Sequence, residues 1–328
     1  MQKNSPRLIL TLGDPNGIGP EIILKIFNTP QLKKKYSLKI SGSKRILDKY
    51  SSLLNLPFIN RDDIIEIPFS KGFKLSPGKT DKKAGEISGT SITTAVDLCK
   101  RKIFDAMVTL PVSKESLNLG GFNYPGHTEM LSDLTSSEDV VMILYSKKFS
   151  TALLTGHIAL KNVSKQISEE LIFRKIITVN NSLVTNFKIK NPKIAVLSLN
   201  PHSGDGGIIG NEEQSVIIPA ITKMNNSGFN IRGPYSPDAY FAAKKYCKFD
   251  ITVSMYHDQA LIPFKMISFD KGVNYTAGLS IVRTSPDHGT AFDISGTGHA
   301  NPQSTIEAIK LAYKLAGLNK KIGIEQKK

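Results

Sequence analysis

Three of the six histidines occupy the same kind of position in the chain. His157, His202 and His257 each follow a short apolar run, at residues 151–154, 194–199 and 251–255 respectively. In open α/β sheets, ligands bind beyond the carboxyl ends of the strands, so three such loops would meet at one edge. Three neutral imidazoles are a common way to hold a catalytic divalent cation with coordination positions left open. The alternative is that each histidine separately hydrogen-bonds a nearby carbonyl group, but their shared setting favours the metal site.

Further polar residues are suited to an anionic ligand. His127 and Thr128 precede an apolar helical pattern and would lie at a helix N-terminus, which favours negative charge. A simple N-cap by Thr128 is the alternative. Lys265, Asn274 and Arg283 follow the third metal candidate along the chain, and lysine with arginine is a suitable pair for phosphate or carboxylate. The sequence therefore predicts an anion site near the metal.

Two glycine-rich loops exclude two kinds of nucleotide site. Residues 200–207 read Asn-Pro-His-Ser-Gly-Asp-Gly-Gly and lack the Lys-Ser/Thr ending of a phosphate-binding P-loop. Residues 13–21 follow a predicted strand and contain Gly17 and Gly19, but Ile22 stands where a Rossmann fingerprint needs its third glycine. A nicotinamide cofactor would therefore be held by a different loop.

Strands and helices alternate along the chain to position these loops. Apolar runs predict strands at residues 7–12, 37–41, 64–67, 106–110, 140–145, 151–154, 194–199, 230–232, 251–255 and 280–283. Helical periodicity predicts helices at residues 20–27, 44–54, 91–102, 169–187, 212–224, 237–246 and 304–315. This alternation predicts βαβ units and an α/β fold centred on a sheet.

The placement of the motifs suggests a discontinuous first domain. The densest motif block lies between residues 123 and 298, so the last helix must pack back onto the N-terminal region. We place the first α/β domain at residues 1–128 plus 299–328. The second α/β domain, residues 129–298, then carries most of the metal and substrate loops.

Composition narrows the class of protein. The 328 residues carry a formal net charge of +15, from 43 Lys and Arg against 28 Asp and Glu. Most of the cations are scattered lysines. Proteins that recognise nucleic acid usually rely on arginines and on aromatic residues interleaved within a basic stripe, and this sequence has no such stripe. We therefore expect no nucleic-acid partner; a basic funnel for an anionic metabolite is the functional reading of the charge.

Membrane and export signals are also missing from the sequence pattern. No apolar run approaches the roughly 20 residues of a membrane span, and the N-terminus has no signal-peptide pattern. Cys99 and Cys247 are too few for a disulfide framework or a cysteine-rich zinc site. We expect a cytoplasmic protein with no membrane association.

Taken together, the motifs resemble those of the 4-hydroxythreonine-4-phosphate dehydrogenase family of pyridoxal 5′-phosphate biosynthesis. The resemblance extends from about residue 7 to residue 315 and rests on five segments in order. They are Leu12-Gly13-Asp14-Pro15-x-Gly17-Ile18-Gly19-Pro20-Glu21, Pro125-Gly126-His127-Thr128-Glu129, Leu199-Asn200-Pro201-His202, Met255-Tyr256-His257-Asp258-Gln259 and Arg283-Thr284-Ser285-x-Asp287-His288-Gly289-Thr290.

The resemblance implies a fold and a set of site residues. The implied enzyme is a homodimer of two α/β/α domains, similar to isocitrate and isopropylmalate dehydrogenases rather than Rossmann enzymes. Its active site would lie in an interdomain cleft at the subunit interface, with the dimer interface on the second domain. The implied metal ligands are His157, His202 and His257; the implied substrate contacts are His127, Thr128, Lys265, Asn274 and Arg283. A loop like the cofactor loop of the isopropylmalate relatives makes His288 and Gly289 the cofactor-binding candidates.

The resemblance also implies a reaction. With NAD or NADP and one divalent metal per subunit (Zn, Mg or Co), 4-phosphooxy-L-threonine would be oxidised to 2-amino-3-oxo-4-phosphooxybutanoate. This β-keto acid would lose CO2 to give 3-amino-2-oxopropyl phosphate. The sequence does not identify the general base. Two alternatives are a sister dehydrogenase acting on another phosphorylated hydroxy acid and a hydrolase whose three-histidine metal activates water.

Overall fold

A computed structural model describes residues 5–325. The strands, in chain order, are β1 (Arg7–Thr11), β2 (Ser37–Gly42), β3 (Ile64–Glu66), β4 (Ala106–Val108), β5 (Val141–Tyr145), β6 (Ser150–Leu153), β7 (Lys193–Leu197), β8 (Asn230–Tyr235), β9 (Ile251–Ser254), β10 (Val273–Ala277) and β11 (Arg283–Pro286). The helices are α1 (Gly19–Phe27), α2 (Pro30–Lys35), α3 (Lys44–Leu54), α4 (Lys82–Lys100), α5 (Lys114–Leu119), α6 (His127–Leu134), α7 (Val163–Gln166), α8 (Glu169–Thr185), α9 (Ile218–Asn226), α10 (Pro237–Ala242), α11 (His257–Ser268) and α12 (Gln303–Glu325).

The chain divides into two compact units. The first unit runs to Glu138 and resumes at Leu279, and the second is Asp139–Gly278. The sequence division at 128/129 and 298/299 lies 10 and 20 residues from these junctions. The difference has a physical cause: Met130 and Leu131 of α6 belong to the same apolar core as Ile9 of β1, and β11 pairs with β4.

The first unit is built on parallel strands in the order β3-β2-β1-β4-β11. Four of the five residues of β1 are buried, because helices cover both faces of such a sheet and select continuous apolar strands. Helix α4 begins well before its predicted start at residue 91, with the Asp81 carboxylate accepting from the Ala84 N–H at 2.9 Å. Its first turns carry glycine because a Cβ on Gly85 would lie 1.6 Å from the Ser116 carbonyl oxygen. Small residues therefore hid this part of the helix from the apolar periodicity.

The second unit has strands in the order β10-β5-β6-β9-β7-β8. The first three are antiparallel neighbours, whereas β6, β9, β7 and β8 are parallel. The predicted strands at residues 151–154, 194–199 and 251–255 are confirmed as β6, β7 and β9, each one or two residues shorter at its C-terminal end.

Two strands differ from the sequence prediction. The strand predicted at residues 280–283 is wrong in position, since β11 covers Arg283–Pro286, and β10 was not predicted. Both strands carry buried polar residues, among them Thr276 and Thr284, which break the apolar pattern. The outermost strands are irregular in different ways: β3 has three residues, and β8 contains Pro234 and a register shift opposite β7.

Within residues 5–325, no helix combines the length and apolar character needed to cross a bilayer.

Candidate active site

The three histidines predicted as metal ligands follow three neighbouring strands of the second unit. β6 and β9 pair in parallel, with Leu153 opposite Ser254, and β9 and β7 pair in parallel, with Val253 opposite Val196. The carboxyl ends of these strands therefore lie at one edge. His157, His202 and His257 lie on the segments that leave that edge.

Hydrogen bonds join these segments just beyond the strands. The Thr155 hydroxyl donates to the Met255 carbonyl oxygen at 2.6 Å. The buried Gln259 side chain accepts from the Met255 N–H at 2.7 Å and donates to the Ser198 carbonyl oxygen at 2.8 Å. Gln259 thereby ties the loop that precedes His257 to the loop that precedes His202.

His157 and His257 lie side by side. Their ring centroids are 5.5 Å apart, and both line a cavity of about 360 Å³ together with Gly156, Tyr256 and Asp258. His257 Nδ1 donates to the Asp258 carboxylate at 2.7 Å, which fixes the tautomer that presents Nε2 to a metal ion. Asp258 is therefore positioned to orient the His257 ring.

His202 lies in a strained loop. Six successive residues, 202–207, have positive φ, starting with 52° at His202 and 56° at Ser203. Left-handed backbone is costly for residues other than glycine. The residues around this loop must therefore hold its backbone in place. In the described part of the chain, no group of three or more His, Cys, Asp or Glu side chains is arranged to hold a metal ion. The structure brings His157 and His257 together, and His202 stands on the third segment.

Glu213, which the sequence reasoning missed, organises the start of the His202 loop. Its side chain is fully buried. One carboxylate oxygen accepts from the N–H groups of Leu199 and Asn200, both at 2.8 Å, and the other accepts from Asn200 Nδ2 at 2.9 Å. A buried carboxylate with three donors is a strong local anchor. The only sequence signal was an acidic pair at residues 212–213, which also fits an ordinary helix start.

Two of the predicted substrate contacts come together in the first unit. Arg283, with 2% of its surface exposed, donates from Nε and Nη2 to the Thr109 hydroxyl at 2.9 and 2.7 Å. Burial lowers the pKa of Arg283 to about 9, so it remains a cation at neutral pH. Burial, together with the Arg283 charge, lowers the pKa of His127 well below its usual range. A neutral imidazole therefore lies beside a buried cation.

The His127 ring presents an unsatisfied atom. Its Nε2 is buried, and no residue in the range 5–325 hydrogen-bonds to it. A buried polar atom without a partner is costly and marks a place where a ligand or water is expected. His127 and Thr128 begin helix α6, as the sequence predicted, and the helix N-terminus adds a preference for anions.

Lys265 and Asn274 lie in the second unit. Lys265 is on the last turn of α11, and Asn274 is on β10 opposite Leu144. Asn274 Nδ2 contacts the Met142 sulfur at 3.3 Å, whereas its buried Oδ1 has no hydrogen-bond partner among the residues described. Asn274 thus offers a carbonyl oxygen to a ligand.

The segment that follows β11 carries both cofactor candidates. Gly289 is exposed, and His288 Nδ1 lies 3.1 Å from the Gly289 carbonyl oxygen. The segment is attached at Thr290, whose carbonyl oxygen accepts from the Ile18 N–H at 3.1 Å. It is attached again at Ser295, whose hydroxyl donates to the Asn16 carbonyl oxygen at 2.8 Å. The loop at residues 13–21, excluded as a Rossmann turn, therefore supports the segment that carries the candidates.

Fold and site together define an α/β oxidoreductase with the isocitrate/isopropylmalate dehydrogenase-like fold. The family model described as "Pyridoxal phosphate biosynthetic protein PdxA" matches residues 30–312. The chain belongs to this family, the 4-hydroxythreonine-4-phosphate dehydrogenases, and the resemblance found in the sequence is confirmed.

Relatives with this activity in their names match the sequence and the fold over nearly the full chain. The 4-hydroxythreonine-4-phosphate dehydrogenase of Sulfurihydrogenibium sp. (strain YO3AOP1) is 43% identical, over 96% of this chain and 99% of its own length. The crystal structure of that enzyme from Klebsiella pneumoniae superposes with a TM-score of 0.86 at 35% identity, covering 95% of this chain and 100% of that one. A structure from Salmonella typhimurium, titled a putative 4-hydroxythreonine-4-phosphate dehydrogenase, gives 0.85 at 36% identity, with 95% and 99% covered.

Proposed function

We propose that this chain oxidises 4-phosphooxy-L-threonine (4-hydroxythreonine 4-phosphate) with NAD or NADP, giving 2-amino-3-oxo-4-phosphooxybutanoate. That product loses CO2 to yield 3-amino-2-oxopropyl phosphate in pyridoxal phosphate biosynthesis. The observation that carries the proposal is the sheet edge at the carboxyl ends of β6, β9 and β7, from which all three histidines emerge. The chain's membership of the family gives this arrangement its meaning. The buried cation of Arg283 beside His127 supports the proposal, because the substrate carries a phosphate and a carboxylate that a cation would bind.

The donor set fits a divalent cation. His157 and His257 are adjacent imidazoles that line one cavity, and imidazole suits zinc and other transition-metal ions. We assign His202 as the third ligand, held on its loop by Glu213 and Gln259. A bound cation would supply Lewis-acid polarisation of the substrate hydroxyl. The metal can be Zn, Mg or Co, one ion per subunit.

The substrate is recognised by cations, which bind its anionic groups, and by unsatisfied polar atoms. Arg283 is held rigidly by Thr109, and a guanidinium in a buried setting binds phosphate or carboxylate strongly. Lys265 adds a second cation. His127 Nε2 also hydrogen-bonds the ligand, whereas Asn274 Oδ1, which can only accept, takes a hydrogen bond from the amino or hydroxyl group of the substrate. Thr128 lies at the anion-favouring end of α6.

We assign the nicotinamide dinucleotide to the segment that carries His288 and Gly289. The absence of a side chain at Gly289, where a Cβ would meet nothing within 4 Å among the residues described, lets a ligand approach the backbone closely. A bound nicotinamide would supply the acceptor for the hydride that leaves the substrate carbon. His288 and Gly289 would bind and orient it.

We further propose a homodimer whose active site lies at the subunit interface. Helix α11 exposes three apolar side chains at spacings of four and three residues: Ile262 at 60%, Met266 at 83% and Phe269, just past its end, at 75%. Large apolar groups exposed on one face of a helix mark an interaction surface. A second copy of the chain would cover this face beside Lys265, consistent with the twofold symmetry usual in oligomers.

A steady-state assay tests the function. NAD(P)H absorbance is followed with 4-hydroxythreonine 4-phosphate, before and after chelation, and again after each divalent metal is restored. Metal-dependent reduction of the cofactor together with release of CO2 is the expected result. Phosphate-ester hydrolysis without cofactor reduction would instead indicate a hydrolase, and turnover of only other phosphorylated hydroxy acids would indicate a sister dehydrogenase.

A further inference from the structure

The carboxylate of Glu21 is fully buried on helix α1 and binds backbone far away in the sequence. It accepts from the Ala300 N–H at 2.7 Å and from the Gly298 N–H at 3.2 Å. It also accepts from the ammonium group of Lys25, one helical turn later, at 2.8 Å. The three donors compensate the cost of burying a charge.

Lys25 completes the attachment from the other side. Its ammonium group donates to the carbonyl oxygens of Gly298 and Ala300, both at 2.7 Å. Between them, Glu21 and Lys25 bind both N–H groups and both carbonyl groups of these two residues. We name this pair with its four backbone bonds the Glu21–Lys25 clamp.

The clamp holds the far end of the segment assigned above to the cofactor. Between β11 and α12, this segment forms only one short 3-10 turn, Phe292–Ile294, so few of its own hydrogen bonds fix its path. It is also attached at Thr290 and Ser295. The clamp therefore supplies a charged attachment to the segment just before it enters α12.

An ion pair whose carboxylate is fully buried, and whose lysine side chain is only 25% exposed, is an expensive way to stabilise a fold, because apolar residues of similar volume often do so as well or better. Its particular capacity is to specify a conformation, and here it specifies an irregular backbone. We propose that Glu21 and Lys25 are positioning residues for the nicotinamide dinucleotide: they hold the 288–300 segment in its binding conformation. This inference rests on the proposed function.

The consequence is selective. Loosening the segment adds an ordering cost to cofactor binding, and an ordering cost of about 1.4 kcal/mol corresponds to tenfold in affinity. The phosphorylated substrate and the metal bind through other residues, so their affinities stay unchanged. At saturating cofactor concentration, the segment is shifted back to its binding conformation. We therefore expect kcat to fall little and the KM for the cofactor to rise.

The test titrates NADH and NADPH into the metal-loaded protein, followed by nucleotide fluorescence without substrate. The variants are Lys25→Met and the charge-neutral double variant Glu21→Gln/Lys25→Met, which stays folded if the lone carboxylate of the single variant does not. Lys25→Arg keeps the cation and tests rescue. Asp48→Asn, which breaks the half-buried i,i+4 pair with Lys44 on α3, is the matched control.

We expect the dinucleotide Kd to rise about tenfold in both Met variants, with recovery in Lys25→Arg and no change in Asp48→Asn. Hydrogen exchange at the Gly298 and Ala300 amides should accelerate in the same two variants. Wild-type Kd values in folded Met variants would overturn the clamp, as would an equal loss of substrate and metal affinity. If the wild-type chain binds neither nucleotide, the proposed function itself fails.

Discussion

Arg283 directs two of its N–H groups at a single acceptor, the hydroxyl oxygen of Thr109 on the segment after β4. Both residues are buried, and they are separated by 174 positions in the chain. The threonine therefore sets the orientation of the guanidinium that we assign to the anionic substrate. No sequence motif pointed to Thr109.

Replacing Thr109 by Val tests that relationship. Valine keeps the shape but removes the acceptor, which leaves buried donors short of a partner at a cost of about 1–3 kcal/mol. We expect the KM for the phosphorylated substrate to rise about tenfold or more, while metal content measured by atomic emission stays at one ion per chain.

Thr305→Val is the matched control. Thr305 is also fully buried, but its hydroxyl finds no hydrogen-bond partner in the portion of the chain that is described. This variant should keep the wild-type KM. If both variants raise KM alike, the Thr109 hydroxyl does not act through Arg283.

Removal of any metal histidine should release the ion. Two imidazoles bind a divalent cation far more weakly than three, so His157→Ala, His202→Ala and His257→Ala should each lose metal on dialysis and lose turnover with it. His299→Ala removes an exposed histidine bonded to Thr297 and should keep its metal. Full metal content in the His202→Ala protein would remove that residue from the ligand set.

Glu213 should affect metal affinity indirectly, through the loop that carries His202. In Glu213→Gln, one of the side-chain atoms facing Asn200 Nδ2 and the backbone N–H groups becomes a donor, so the start of the His202 loop loses its anchor. We expect metal affinity to fall by about 10- to 100-fold, read by competition with a chromogenic chelator. The exposed Glu170 serves as a control, since Glu170→Gln should bind metal as the wild type does.

The stability of the first unit should fall as the pH rises through the titration of Asp14. Burial raises the pKa of this carboxyl to about 6 from an ordinary value of 3.8, so the folded chain binds a proton that the unfolded chain has already released. This favourable contribution is complete below pH 4 and is lost as the pH rises to 6 and above. Two pKa units correspond to a loss on the order of 3 kcal/mol.

Asp14→Asn should remove that dependence, because the amide does not ionise. Urea unfolding at pH 4.5 and pH 7.5 measures the effect: the variant should gain stability relative to wild type at the higher pH. An equal difference between the two proteins at both pH values would show that Asp14 does not titrate on folding.

A charge on the exposed face of α11 should separate the subunits. Met266→Asp places a carboxylate at a position 83% exposed in the single chain, where it costs nothing unless a partner covers it. We expect light scattering to report a dimer for wild type and a monomer of reduced activity for the variant. Leu119→Asp, at an apolar side chain 51% exposed on α5, should remain dimeric; a dimeric Met266→Asp protein would refute this interface.

The strand-end position of the histidines could be predicted from the sequence because β6, β7 and β9 are buried on both faces. Continuous apolar runs are the signal of such strands, and the first polar residues after them are necessarily at the sheet edge. The family motifs then pointed to the same residues. Helix α11 was not predicted, since Pro263 and exposed apolar residues disguise its periodicity.

The residues that hold the site could not be predicted in the same way. Thr109, Glu213 and Glu21 act through partners that only the fold brings near, 279 positions away for the bond from Ala300 to Glu21. Buried polar strands are also misread: the four residues of β11, Arg-Thr-Ser-Pro, are all buried, yet only Thr284 is a typical strand former. Their burial follows from hydrogen bonds such as that of the Thr284 hydroxyl to the Ala308 carbonyl oxygen, which no local pattern contains.

The irregular outer strands have a consequence for the crowded conditions of synthesis. An exposed strand edge is a template on which other chains add strands and aggregate. β3 is only three residues long, and β8 interrupts its ladder with a register shift and with Pro234, which has no N–H to donate. Neither strand offers a long, regular row of hydrogen-bonding groups, so nascent copies of this chain have no easy route to joining edge to edge.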